Sequence, residues 1–204
     1  MIQPGTPEWF AARLGRVTAS RVADIIAKTK TGYSTSRENY LVELALERLT
    51  GGRQEGFTSA AMEWGTETEP LARAAYEAHT GEIVEEVGLI LHPTIDEAGA
   101  SPDGLVGSNG LLEIKCPSST THIQTLRTKK PAAKYVTQMM WQMACTGRLW
   151  CDFVSFDPRM PVGLRFFVTR VDRDDKMIAE LESEVSRFLV EVSEMVNELM
   201  EMKQ

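Results

Sequence analysis

The sequence predicts a mixed α/β fold, a central sheet flanked by helices, and three observations carry that prediction. Apolar residues recur at helical spacing up to about residue 81 and then give way to short runs rich in Val, Ile and Leu. The segment Gly107-Ser108-Asn109-Gly110 between two such runs is a strong hairpin signal. Helical patterns then return, are interrupted by two more strand-like runs, and close on one long helix, so the order is helices, three strands, helices, two strands, helix.

Each element has a local reason. Thr6 is a capping residue and Pro7 suits the first helical position, so a short helix runs to about Leu14 and Gly15 stops it. Thr18-Ala19-Ser20 starts a second helix through about Ala27, and residues 29–35 read as a loop. Ser36 caps a third helix with Tyr40, Leu41, Leu44, Ala45 and Leu49 on one side, ended by Gly51-Gly52. Ser59 opens another helical region, with Pro70 at the start of its second segment and an end near Gly81. Residues 82–91, 98–106 and 111–116 are the first three strands. Helices follow at about 119–128 and 132–146, closed by Gly147, then strands at 149–156 and 163–171. The last helix, about 174–203, carries Ile178, Leu181, Val185, Phe188, Val192, Met195, Leu199 and Met202 at spacings of three and four. That stripe packs first of all on the body, with a subunit contact ranked second and partner docking third.

A chain of 204 residues with 43% hydrophobic and 25% charged residues fits one globular domain over residues 1–204. No run is long and apolar enough to span a membrane, and no secretory signal is visible at the N-terminus. Cys116, Cys145 and Cys151 lack zinc spacing and read as reduced thiols of a cytoplasmic protein. The net charge of −7 is uneven: residues 174–204 carry nine acids and three bases, which leaves the body near −1. Within that body Arg127, Lys129, Lys130 and Lys134 form one basic cluster, either a positive groove or an ordinary solvated face.

The chemistry concentrates in Ser101-Pro102-Asp103-Gly104 and Leu112-Glu113-Ile114-Lys115. Strand alternation sends Leu112, Ile114 and Cys116 to a buried face and Glu113 and Lys115 to a face that should line a cleft. The turn folds Asp103 back beside Glu113. Two carboxylates, a backbone carbonyl at Ile114 and waters suit Mg²⁺, which would lower the pKa of a bound water. Lys115 would position that water or neutralise an attacked phosphate, and a second ion would stabilise the leaving oxygen. Glu69, on the preceding helix, is a third acid able to join the site. This is a centre for cutting phosphodiesters; the bland alternative is a surface hairpin with an exposed Glu/Lys pair.

Trp9-Phe10-Ala11-Ala12-Arg13-Leu14-Gly15, Thr18-Ala19-Ser20, Trp64-Gly65 with Glu69, Ser101-Pro102-Asp103-Gly104, Glu113-Ile114-Lys115-Cys116-Pro117 and Tyr135-Val136-Thr137-Gln138 stand in the order seen in another group. Over roughly residues 7–172 the chain resembles the phage lambda-type alkaline exonucleases of the YqaJ-like viral recombinase family. The resemblance implies a restriction-endonuclease-like fold with the PD-(D/E)xK motif. It also implies a Mg²⁺-dependent, processive 5′→3′ exonuclease on double-stranded DNA that releases mononucleotides and leaves a 3′ single strand. Two Mg²⁺ ions, with Mn²⁺ able to substitute, a homotrimeric ring and a phage single-strand annealing protein as partner belong to the same expectation, as does a bacterial host cytoplasm. Carried over, Asp103 and Glu113 are metal ligands, Lys115 is the catalytic lysine and Glu69 is the extra acid.

The resemblance also places Arg13, Thr18, Ser20, Ser101 and Gln138 in a pocket for the 5′ phosphate. Their chemistry agrees: a helix starting at Thr18–Ser20 would offer amides, Arg13 a guanidinium fork, Ser101 a hydroxyl two residues from Asp103, and Gln138 an amide. Trp9, Trp64, Trp141 and Trp150 read as core, and His79, His92 and His122 match neither a zinc pair nor a general base. Two alternatives stay open: another PD-(D/E)xK endonuclease or junction resolvase, and a DNA-end-binding protein without catalysis. The Arg13, Thr18 and Ser20 block argues against the first, and intact Asp103, Glu113 and Lys115 against the second.

Overall fold

The structure, a computed structural model, describes residues 5–52 and 59–202. Thr6 accepts from the Trp9 amide and opens helix α1 (Pro7–Arg13). The second helix starts later than expected. Val17–Thr18 is a short strand, β1, Ala19–Arg21 is a single 3₁₀ turn, and the helix proper, α2, is only Val22–Ile26. The reason is that Thr18 caps nothing with its side chain and lies in extended backbone, paired in parallel with a strand from the middle of the chain. The expected loop at 29–35 contains a small hairpin, β2 (Lys28–Thr29) with β3 (Gly32–Tyr33). Ser34, not Ser36, is the boundary residue of α3 (Thr35–Thr50), and a left-handed Gly51 ends it.

Helix α4 (Ala60–Thr80) runs unbroken through Pro70, where two segments were expected. Ala72 and Tyr76 beyond the proline are fully buried, so packing outweighs the lost backbone hydrogen bond. The next two expected strands are each split. Residues 82–91 give β4 (Val84–Glu85) and β5 (Ile90–Leu91), and 98–106 give β6 (Ala98–Ala100) and β7 (Gly104–Val106). β8 (Gly110–Lys115), α5 (Ser119–Thr128), α6 (Ala133–Thr146), β9 (Trp150–Phe156), β10 (Phe166–Asp172) and α7 (Asp175–Glu201) follow close to their expected places.

The splits create two sheets. One is five-stranded, in the order β10-β9-β8-β7-β4, with β8 parallel to β9 and every other pair antiparallel. The other is three-stranded, β1-β6-β5. Pro102 lies at the break between β6 and β7; it has no amide to donate to a ladder, so the chain changes sheets there. That break leaves Ser101 and Asp103 at the sheet end. Gly104 then makes close approach possible, because a Cβ there would lie 2.1 Å from a Val84 methyl carbon.

Both faces of the larger sheet are covered. α4 packs Ala72 and Tyr76 against Leu112, Ile114, Val154 and Phe156. On the opposite face α6, α2, α3 and α7 build the larger core around Trp141, Met139, Tyr40, Phe153 and Phe188. α7 therefore does pack on the body, burying Ile178, Leu181, Val185, Phe188, Leu189 and Val192. Its N-terminus is capped by the Asp174 carboxylate, which accepts from two backbone amides at 3.0 Å. No helix is long and apolar enough to cross a membrane among the described residues. The three cysteines are buried free thiols, and burial pushes Cys116 and Cys145 up to about 12.

Candidate active site

The β7–β8 hairpin pairs Gly104 with Leu112, and Asp103, one residue beyond the last pair, lies near enough to Glu113 to feel its charge. Asp103 is locked by the backbone it faces: its Oδ2 accepts from the Ile114 amide at 2.6 Å. Glu113 does not line an open cleft, as alternation alone suggested. It is fully buried, because α6 covers that face of β8. Three donors meet its carboxylate. Gln138 donates to Oε1 at 2.7 Å, Gln142 donates to Oε2 at 2.6 Å, and the Lys115 ammonium pairs with Oε1. Gln142 gives up something to do so, since its own carbonyl oxygen is buried without a partner.

The electrostatics follow from this crowding. Burial pushes the Asp103 carboxyl well above its usual range, and the nearby Glu113 and Glu69 charges push it further. Burial alone would lower Lys115, but Glu113 and Asp103 outweigh it and hold the ammonium above its ordinary value. Glu69 is also raised, first by desolvation and, against the pull of Arg73, by Glu113. Arg73, one turn on, grips Glu69 at 2.8 Å and Glu86 at 2.5 Å. So three acids share one lysine at the sheet end. An all-oxygen donor set with uncompensated negative charge fits a hard divalent cation. No three acidic, histidine or cysteine side chains close a complete cage among the described residues, and a Mg²⁺ site of two carboxylates with waters does not need one.

Beside these acids lies a cavity of about 1080 Å³ whose wall includes Arg13, Thr18, Ser20, Ser101, Asp103 and Glu69. Four of the five residues expected to hold a phosphate thus share one space with two of the acids. Ser101 links them. Its hydroxyl oxygen accepts from the Trp9 indole and from Arg13, both at 3.1 Å, and Arg13 also stacks on the Trp9 ring at 4.1 Å. With both lone pairs engaged, the Ser101 hydroxyl has only its proton to offer, which suits an anion. Two corrections apply. The helix start expected at Thr18–Ser20 is a single 3₁₀ turn, Ala19–Arg21, with Thr18 at its N-cap position and no side-chain capping bond, leading into the five-residue α2, so these residues offer mainly their hydroxyls. Gln138 stands outside the cavity wall, and its amide goes to Glu113.

The sequence reading missed Gln142, Arg73 and Trp9. Gln142 lies four residues after Gln138 and Arg73 four after Glu69, the spacing that stacks side chains on one helix face, so the signal was present. Trp9, expected in the core, reaches Ser101 instead, and only the three-dimensional fold brings the two together. Trp141 is core as expected, and His122 is a buried structural link between Ser155 and the Leu164 carbonyl.

A mixed sheet flanked by helices, with Asp103, Glu113 and Lys115 on one hairpin, defines a restriction-endonuclease-like protein. The YqaJ-like viral recombinase domain matches residues 8–149, and the chain belongs to that family. It is similar to an alkaline exonuclease, LHK-Exo, from Laribacter hongkongensis, at 57% identity over 97% of this chain and 98% of that one, with a TM-score of 0.91. The structure of LHK-Exo in complex with dAMP matches with a TM-score of 0.92 at the same identity and coverage. A phage related exonuclease from Haemophilus somnus 129PT shares the fold at 18% identity, covering 90% of this chain and 96% of its own, with a TM-score of 0.72. No curated protein sequence matches.

The geometry predicts that Gln142→Leu, which leaves a buried carboxylate oxygen without its donor, destabilises the fold by about 1–3 kcal/mol. Urea unfolding of the two proteins measures the difference.

Proposed function

We propose that the protein is a Mg²⁺-dependent exonuclease that degrades linear double-stranded DNA from its 5′ ends. It releases 5′-mononucleotides and leaves 3′ single strands for annealing-type recombination. The observation that carries this reading is the adjacency of Ser101 and Asp103, one in contact with Arg13 and the other near Glu113, on the wall of a single cavity. A terminal phosphate seated there places the next phosphodiester at the acids, so the enzyme needs an end. Family membership supports the reading, and so does the 57% identical exonuclease whose complex holds a deoxynucleoside monophosphate.

In this reading Asp103, Glu113 and the Ile114 carbonyl hold Mg²⁺, Glu69 is in reach of a second ion, and Mn²⁺ substitutes; the metal supplies positive charge at the phosphoryl oxygens and a water of lowered pKa. The protein's own groups do the rest. Lys115, whose ammonium its acidic neighbours favour, neutralises charge on the attacked phosphate. Gln138, Gln142 and Lys115 fix the Glu113 carboxylate, so no rearrangement is needed when substrate arrives. Arg13, Thr18, Ser20 and Ser101 orient the terminal phosphate, and Gln138 acts through Glu113, whose carboxylate it holds. Processive action as a homotrimeric ring and delivery of the 3′ strand to a phage single-strand annealing protein complete the proposal. Exposed Val190, Met200 and Met202 on and just past α7 offer an apolar contact for such assembly.

Lys115→Ala lowers mononucleotide release from 5′-phosphorylated linear duplex with Mg²⁺ by at least about 100-fold, while closed circular DNA stays intact with both proteins. Absence of release by the wild type, or cutting of the circle, contradicts the proposal. Arg13→Ala weakens the use of 5′-phosphorylated ends by about 10- to 150-fold, the equivalent of one charged hydrogen bond. It has a smaller effect on 5′-hydroxyl ends, and initial rates on the two substrates read the difference.

A further inference from the structure

The chain carries 29 acids, yet residues 114–151 contain none, while they hold Lys115, Arg127, Lys129, Lys130, Lys134 and Arg148. Two of these cations have other partners. Lys115 pairs with Glu113, and Arg148 donates to the carbonyls of Val106, Gly107 and Gly110. The other four are exposed around the turn between α5 and α6, and none makes an ion pair among the described residues. Other cations are neutralised, as Arg21 is by Asp24 and Glu43, Arg37 by Glu191, and Arg170 by Asp152, while Lys30 and Lys176 stand without an ion pair among the described residues but apart in the sequence, so the α5–α6 turn is a cluster.

Helix capping explains part of this and then fails. Arg127 lies in the last turn of α5, and Lys129 is its left-handed C-cap, so both complement the negative helix end. Lys134 is in the first turn of α6, where a positive charge opposes the dipole and where no acid offsets it. That charge has no acidic partner among the described residues. Its neighbour explains its position: Lys134 and Lys115 both approach the Tyr135 ring, at 4.9 and 5.2 Å from its centre. The cation patch therefore begins one ring away from the candidate catalytic lysine. The patch is separate from the end cavity, whose wall includes no residue after Asp103.

We propose that the α5–α6 turn, through Arg127, Lys129, Lys130 and Lys134, holds the phosphate backbone of the uncut duplex just 3′ of the scissile bond. The inference rests on the exonuclease reading. A strand with its 5′ end beside Arg13 and its first linkage at Asp103 and Glu113 passes Lys115 next and then meets this turn. Four unneutralised cations there hold the duplex against a chain of net charge −7.

The test is DNA binding without divalent metal, followed by fluorescence anisotropy on a 5′-phosphorylated blunt duplex across a salt series. In Arg127→Gln/Lys129→Asn/Lys130→Gln/Lys134→Gln the slope of log K against log salt shrinks by about 3.6, at roughly 0.9 for each lost phosphate contact. Lys134→Gln alone shrinks it by about 1. Asn at 129 tolerates the left-handed backbone, and an unchanged melting temperature shows that the variants fold. Lys30→Gln/Lys176→Gln, on other surfaces, leaves the slope as in the wild type. An unchanged slope in the patch variants overturns the proposal, and so does a loss seen with single strands but not with duplex. If the slope shifts as expected while the wild type releases no nucleotide with Mg²⁺, the patch stands and only the exonuclease reading fails.

Discussion

The arrangement depends on one buried carboxylate. Glu113 sits with no solvent exposure between the sheet and α6, and taking such a charge out of water costs several kcal/mol unless donors meet it. Lys115, Gln138 and Gln142 are those donors, so the buried acid dictates where α6 lies and which of its residues face inward. The same acid raises its neighbours. With Asp103 across the hairpin and Glu69 at the end of reach from α4, more negative charge gathers than one ammonium can balance. Arg73 restrains Glu69, but its second bond to Glu86 holds it on the outer side. What remains is a cluster of carboxylate oxygens, held in place and short of positive charge.

The interruption of the strand at Pro102 sets that cluster beside a second group of polar side chains. A continuous strand from 98 to 106 would have tied Ser101 and Asp103 into a ladder. The proline lets the backbone leave one sheet and enter another, so that two residues apart in sequence serve two tasks. Asp103 turns to the Ile114 amide, and Ser101 turns to Arg13 and Trp9. The three-stranded sheet, absent from the sequence reading, is what brings Val17–Thr18 alongside Ala98–Gly99 and hence the Arg13 segment beside the acids.

Much of this was legible in the sequence, and the misses have physical causes. The hairpin, the order of elements and the acid–lysine pattern follow from local rules: turn residues, period and strand alternation. Pairings between distant segments do not. β1 is two residues long and carries no periodic signal, so only its partner, β6, makes it a strand. Pro70 read as a boundary because local cost favours one, and the buried Tyr76 beyond it reverses the balance. Glu113 read as facing a cleft because alternation tells which face a side chain takes but not what covers that face. The role of Gln142 was visible as a repeat of Gln138 one turn on, and needed only the question of what a buried glutamate would require.

The central claim is that Asp103, Glu113 and Glu69 form a cluster of negative charge built to receive a divalent cation. Thermal unfolding with and without Mg²⁺, for the wild type and Asp103→Asn, tests it directly. The account predicts that Mg²⁺ raises the melting temperature of the wild type, by about 2.7 kcal/mol of stability at a hundred times the dissociation constant. It predicts that Asp103→Asn is the more stable protein without the metal, because one repelling charge is gone, and gains little when Mg²⁺ is added. Equal stabilisation of both proteins by Mg²⁺, or none of the wild type, would contradict it.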